Sequence, residues 1–363
     1  MRGLLCLTSH ADTLISVRPE AELFIGLQST GIPVHVLTQE TSPYFAAMRD
    51  AGIRTLHFEQ RSKISFRAIR LVRDYILMHD IDIVYAFNNR TISTAVWATS
   101  GLDVKLLTYR GQTGNIERYD PSVLLTHRHP RVDGIICVAK AIERYLRPRI
   151  APKVLIETVY KGHNPDWYQD TPADRAEFDI PADGFVIGCV ANNRPRKGVE
   201  YLVQAFRQVA NDDRSAHLVL VGNGMDDQLA PVMALPTDLR RRVHLLGQRQ
   251  DVGSLVQLFD VAVLPAVRGE GLPKSVIEAM AYACPCIVTD TGGNAELVNH
   301  KETGLVVPVA DQDALAMALR EMMSSKEPRV RMGENGQQRI ATHFHIKDSI
   351  HNTLQVFEQL MHD

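Results

Sequence analysis

Short, apolar, β-rich runs alternate with helical stretches along nearly the whole chain, and this alternation restricts the fold more than any other feature. The first half reads LLCLT, PEAELFIGLQST, VHVL, YFAAMRDAG, IRTLHF, FRAIRLVRDYILMHD, DIVYAF, TISTAVWATSG, VKLLTY, GIICVA, KAIERYLRP and VLIETVY. After an Asp- and Pro-rich stretch at 164–184, it resumes with FVIGCVA, VEYLVQAFRQVA, HLVLVGNG, RVHLLG, VGSLVQLF, DVAVLPA, a helix containing Glu278, CIVTD, GLVVP and DALAMALREMMSS. Strand and helix at this spacing build a parallel sheet covered on both faces. At 363 residues the chain exceeds what one core holds, about 250 to 300 residues. Two doubly wound α/β domains are expected, 1–165 and 166–345, with ligands at the carboxyl ends of strands in a central cleft. Ile350, Leu354, Phe357 and Leu360 have helical spacing, so 346–363 forms one more helix, expected to pack back onto the first domain.

With 42 acidic and 40 basic side chains, the chain lacks the basic excess that nucleic acid demands. The five cysteines, Cys6, Cys137, Cys189, Cys284 and Cys286, are odd in number and never form C-x-x-C. They read as buried thiols of a reducing compartment. No apolar run reaches the ~20 residues that span a bilayer, and His10 and Asp12 interrupt the opening too early for a signal peptide. The expected location is the cytoplasm, free or peripheral on the inner face of the membrane.

Three loops carry the chemistry. RGEGLPKSVIEAMA at 268–281 follows the buried strand DVAVLPA and joins a glycine-rich turn to a helix, with Glu270 before it and Glu278 inside it. Gly269 and Gly271 allow close backbone approach, Pro273 suits the first helical turn, and the helix start attracts anions. Taken alone, the two glutamates fit a solvated face as well as a site. CPCIVTDTGGNAELV adds Asp290, the Gly292–Gly293 pair and Glu296, while VANNRPRKGVEYLV places Arg194, Arg196 and Lys197 on a strand-to-helix loop that ends at Gly198. Three phosphate-suited loops in one domain favour a site.

EGLPKSVIE resembles the E-x7-E motif of the retaining glycosyltransferases of family 4, which have the two-domain GT-B fold. R-P-x-K-G at 194–198, VLVGNG at 219–224, HLLGQ at 244–248 and GG-x-x-E at 292–296 support it, and GHN at 162–164 stands where relatives often read G-V-D. The resemblance implies a nucleotide-sugar donor, UDP-linked before GDP-linked, and no metal or other cofactor. It implies a glycan or lipid-linked acceptor, in bacterial polysaccharide, lipopolysaccharide or glycolipid assembly. Glu278 would hold the ribose hydroxyls, Glu270 would lie at the donor sugar, and the backbone of Gly271, Leu272, Pro273 and Lys274 would contact sugar and diphosphate. Lys197, helped by Arg194, would neutralise the departing diphosphate, with Asn223 and Arg18 as further donor contacts. The chain departs from the family in three places. Asn192 stands where relatives carry arginine, Arg18-Pro19-Glu20 where they carry a glycine-rich loop, and Arg110, at the end of LLTYR, where they carry histidine. Arg110 is either a group that positions donor sugar or diphosphate or a surface arginine.

Other features point less sharply. His127-Arg128-His129 lacks acidic or cysteine partners at ligand spacing and reads as loop surface, and GNG at 222–224 as a plain turn. RSKISFRAIRLVRDYILMHD combines Arg61, Lys63, Arg67, Arg70 and Arg73 with an apolar stripe, which suits either a sheet-covering helix or contact with anionic lipid. A nucleotide-sugar epimerase of the same fold and a noncatalytic nucleotide-sugar-binding module remain alternatives to a transferase. The oligomeric state is not legible.

Overall fold

The computed structural model describes residues 1–9, 14–60, 62, 64–116 and 121–362; His10, Asp12, Arg61, Lys63 and the end of the loop after Arg110 lie outside them. The chain divides into two compact units, 1–163 with 344–363, and 164–343.

In the first unit, chain order runs β1 (Leu4–Leu7), α1 (Leu14–Ser29), β2 (Val34–Thr38), α2 (Phe45–Asp50), β3 (Arg54–His57) and α3 (Phe66–Met78). It continues with β4 (Ile83–Ala86), α4 (Asn89–Ala98), β5 (Lys105–Arg110), β6 (Gly134–Cys137), α5 (Lys140–Leu146) and β7 (Leu155–Thr158). All seven strands are parallel, in the order β3-β2-β1-β4-β5-β6-β7. LLCL, IVYA and GIIC are buried throughout, which is why these runs are apolar without alternation: helices cover both faces of the sheet. β3, with Arg54 and His57 exposed, is a polar edge. The first helix begins at Leu14, earlier than its apolar pattern indicates, with Pro19 inside it. Proline there removes a single intrahelical donor.

The second unit holds β8 (Phe185–Val190), α6 (Val199–Asp212), β9 (Ala216–Val221), α7 (Ala230–Met233), α8 (Thr237–Arg240), β10 (Val243–Leu245), α9 (Val252–Val256) and β11 (Val261–Leu264). Then come α10 (Lys274–Ala281), β12 (Cys286–Thr289), α11 (Asn294–Leu297), β13 (Gly304–Val307), α12 (Gln312–Ser324) and α13 (Lys326–His343). Its six parallel strands run β10-β9-β8-β11-β12-β13. Both sheets are therefore doubly wound and Rossmann-like, and the second reverses its order between β8 and β11, where ligands of such sheets bind.

The Asp- and Pro-rich stretch 164–184 belongs to the second unit: Arg175 donates to the carbonyls of Gly184 at 2.8 Å and Leu258 at 3.0 Å and pairs with Asp260 at 3.1 Å. α13 had no visible apolar periodicity, because it is polar and two of its buried positions are glycines. At Gly333 a Cβ would lie 1.9 Å from the carbonyl oxygen of Ala283, so the helix meets the end of α10 through bare backbone. The closing helix α14 (Ile346–His362) packs on α1 in the first unit, where Gly26 passes the side chain of Ile350. Backbone bonds from His163 N to Phe344 O, 2.7 Å, and from Ile346 N to His163 O, 2.9 Å, fix its entry. All five cysteines are buried and unpaired with one another.

Candidate active site

The loops that leave β8, β9, β11 and β12 interlock at the carboxyl end of the second sheet. After β8 the chain makes a short turn at Pro195–Lys197 and enters α6 through Gly198, whose φ of +65° is left-handed. A Cβ at Gly198 would stand 2.1 Å from the Pro265 carbonyl oxygen, so only glycine lets this loop touch the one after β11. Val267 N donates to Arg196 O at 2.9 Å. The glycine at 292, φ +58°, has the same task, with Glu270 O 2.1 Å from its missing Cβ. GNG is more than a plain turn: Asn193 N bonds Asn223 O at 2.8 Å, and Asn223 N bonds Asn192 Oδ1 at 3.2 Å.

This interlocking brings the predicted charges together. Glu270 is buried, and its Oε1 lies 2.8 Å from Lys197 Nζ and 3.6 Å from Arg196 Nη1. Arg196 also donates to Gly269 O at 3.1 Å. Lys197 and Glu270, expected to act on different parts of a donor, form one ion pair. Arg194, the expected helper, is exposed at the start of the turn, while Arg196 lies beside Glu270. The sequence placed both arginines beside Lys197 but carried no signal for which one the turn aims inward.

Pro273 precedes α10 rather than lying in its first turn, and no side chain caps the helix start. Within the helix, Glu278 is buried and pairs with Lys274 one turn back, at 3.0 Å. Burial raises the Glu278 pKa above its ordinary value; Lys274 works against this, and Asp170 reinforces it. Asp170 is itself held by the Tyr282 hydroxyl, one further turn along the same face. Asp170 and Tyr282 had no motif to announce them. The second residue of the GG-x-x-E loop to contribute is Asn294, fully buried, with Nδ2 on Thr289 O at 3.0 Å.

In the first unit, Arg110 ends β5 and is buried, not a surface arginine. Its Nε donates to Gln112 O at 3.0 Å and its Nη2 to Gly114 O, so the guanidinium shapes the loop that follows. Arg18 lies inside α1, 4.0 Å from Glu22 across one turn. His127, expected at the surface, is buried, with Nδ1 3.0 Å from Thr108 Oγ1, and burial beside Arg110 lowers its pKa to about 3. A neutral imidazole there is core. Lys161, just before the GHN stretch, pairs with Glu20 of α1 at 3.3 Å, a link that no local pattern revealed.

Residues 170–339 match the family model for glycosyl transferases group 1, and residues 21–167 match that for glycosyltransferase family 4. The chain belongs to glycosyltransferase family 4. This family 4 chain is 25% identical over 248 residues to the N-acetyl-alpha-D-glucosaminyl L-malate synthase of Bacillus anthracis, covering 67% of the chain and 65% of that protein, just under two thirds of its length. It is 26% identical over 322 residues to a GDP-mannose-dependent alpha-(1-6)-phosphatidylinositol monomannoside mannosyltransferase of Mycobacterium tuberculosis, covering 80% of each. The fold is that of the Anabaena protein Alr3699/HepE, solved in complex with UDP: TM-score 0.79, 17% identity, 98% of this chain and 100% of that one. The family match and the named relatives favour a glycosyltransferase of the family 4 type over an epimerase or a passive binding module.

Proposed function

We propose that this glycosyltransferase retains anomeric configuration and, without a metal ion, moves a sugar from a nucleoside diphosphate to a hydroxyl of a glycan or lipid-linked acceptor in surface polysaccharide or glycolipid assembly. The observation that carries this reading is the Lys197–Glu270 pair, with Arg196 beside it, at the switch point of the second sheet and next to the uncapped start of α10. A diphosphate arriving there draws Lys197 and Arg196 to its oxygens, and Glu270 turns to the sugar. Charge on the diphosphate grows as the glycosidic bond breaks, so cations and helix N–H groups stabilise the transition state more than the ground state. The backbone from Gly271 to Lys274 follows sugar and diphosphate, Glu278 accepts from the ribose hydroxyls, and Arg194 and Asn223 are the exposed donor contacts. The new bond joins the acceptor oxygen to the anomeric carbon, and the acceptor proton passes to the departing phosphate oxygen on the same face. Arg110 holds the loop after β5.

A UDP-linked donor ranks first and a GDP-linked one second; the Anabaena structure contains UDP, and the mycobacterial relative uses GDP-mannose. The test is incubation with UDP- and GDP-sugars and a lipid-linked acceptor, with the anomeric configuration of the product read by NMR. Retention with activity undiminished in EDTA is expected. An inverted product, or activity lost to EDTA and restored by manganese, overturns the reading.

A further inference from the structure

Among the described residues, many of the large apolar side chains left in solvent are gathered between residues 56 and 78. Leu56, Ile64, Phe66, Leu71, Leu77 and Met78 are exposed, Phe66 to 85%, Met78 to 74% and Leu77 to 62%. α3 buries Ala68, Val72 and Ile76 against its own unit. At 100° per residue, Phe66, Arg70 and Leu77, with Arg67, Leu71 and Met78, fall on the opposite arc. The helix is therefore apolar on both sides, and the outward side interleaves its hydrophobic residues with two arginines. Asp74, the acid on that arc, lies 3.6 Å from Arg70, whose side chain stays 86% exposed. Trp97 on the neighbouring α4 is also 45% exposed. The segment 54–78 contains Arg54, Arg61, Lys63, Arg67, Arg70 and Arg73 against Glu59 and Asp74, in a chain where acids outnumber bases.

We propose that this face of α3 docks on an anionic lipid bilayer. Phe66, Leu77 and Met78 enter the boundary between headgroups and acyl chains, while Arg67 and Arg70 extend to the lipid phosphates. Apolar area alone would suit a second copy of the chain as well. Charge decides against it, because a twofold contact sets this arginine-bearing face against itself, whereas an anionic surface neutralises it. The inference goes beyond the transfer reaction and does not depend on it: binding to lipid needs neither donor nor acceptor.

The experiment is sedimentation of the full chain with phosphatidylcholine vesicles, with and without phosphatidylglycerol. Binding is expected with phosphatidylglycerol and should weaken as salt rises. Arg67→Gln/Arg70→Gln should lower the partition coefficient about 25-fold, roughly fivefold per arginine. Phe66→Asp/Met78→Asp should abolish binding with the melting temperature unchanged, since both side chains stand in solvent. Equal binding to both kinds of vesicle, no binding to either, or wild-type binding by both variants overturns the proposal. So does a wild-type dimer that Phe66→Asp/Met78→Asp dissociates, which would assign the face to a second copy.

Discussion

At the scale of single residues, the site stores its chemistry as two ion pairs, each holding a buried carboxylate. Removing Lys197 strands Glu270, and stranding a buried charge costs about 3 kcal/mol at the lower end; Arg196, 3.6 Å away, compensates in part. Lys197→Met should therefore unfold at lower urea than wild type, and Lys197→Met/Glu270→Gln should recover at least about 1 kcal/mol of that loss. Strict additivity in the urea cycle would mean that the pair is not coupled. Glu278 leads to a pH prediction. Its folded pKa lies above the unfolded value, because burial outweighs Lys274. The stabilisation from its protonated form is thus fully present below the unfolded pKa and is lost as pH rises through the folded one. Glu278→Gln stays neutral, so it should match wild type in acid and become the more stable protein toward neutrality, while binding nucleoside diphosphate more weakly. Parallel urea midpoints across that range would contradict the shift. These charges were legible in the sequence as E-x7-E and R-P-x-K-G, but their pairing was not: Lys197 and Glu270 stand on separate loops, and only the approach of those loops at Gly198 and Gly292 brings them together.

At the scale of elements, α13 shows how packing reverses a propensity. An alanine normally stabilises a helix by about 0.5–1 kcal/mol over glycine. At Gly336 a Cβ would meet Met280 side-chain atoms at 3.6 Å, ordinary contact, so Gly336→Ala should raise the melting temperature. At Gly333 the Ala283 carbonyl lies 1.9 Å from the added carbon. Gly333→Ala should instead cost about 1–3 kcal/mol as α13 is forced off α10, and with it donor affinity, since α10 carries Glu278. Calorimetry of the two variants with and without UDP distinguishes the effects; stabilisation by both would show that α13 does not hold α10. The helix was invisible in the sequence for the reason that makes it useful. Close contact selects glycine, and the polar bonds of Gln337 to Ala281 O and Arg339 to Leu297 O select polar residues, so no apolar stripe remains.

At the scale of the molecule, the chain leaves its first unit at residue 163 and returns to it at 344. The returning segment buries Phe344, Ile346, Val356, Phe357 and Leu360, and Phe357 meets Tyr85 edge-on at 6.2 Å. Ending the chain after His343 should expose this surface and lower hydrogen-exchange protection in β1, β4 and α1, with β8, β9 and β11 protected as before. Uniform protection in both units would show that α14 contributes nothing to the first.

The sequence by itself determined both sheets. Most of the thirteen strands among the described residues are apolar runs, because a strand covered on both faces must be apolar along its whole length, and that composition is visible locally; the edge strand β3 is the polar exception. It also marked the loops at the carboxyl ends of β8, β11 and β12, since glycine, proline and charge at a strand-to-helix turn have few other uses. The tertiary structure alone decided which arginine accompanies Lys197, that Arg110 turns into its own loop, that His127 is core, and that α13 exists. Each of these depends on atoms distant in sequence, where a carbonyl or a carboxylate from another loop sets the charge, the space and the direction a side chain takes.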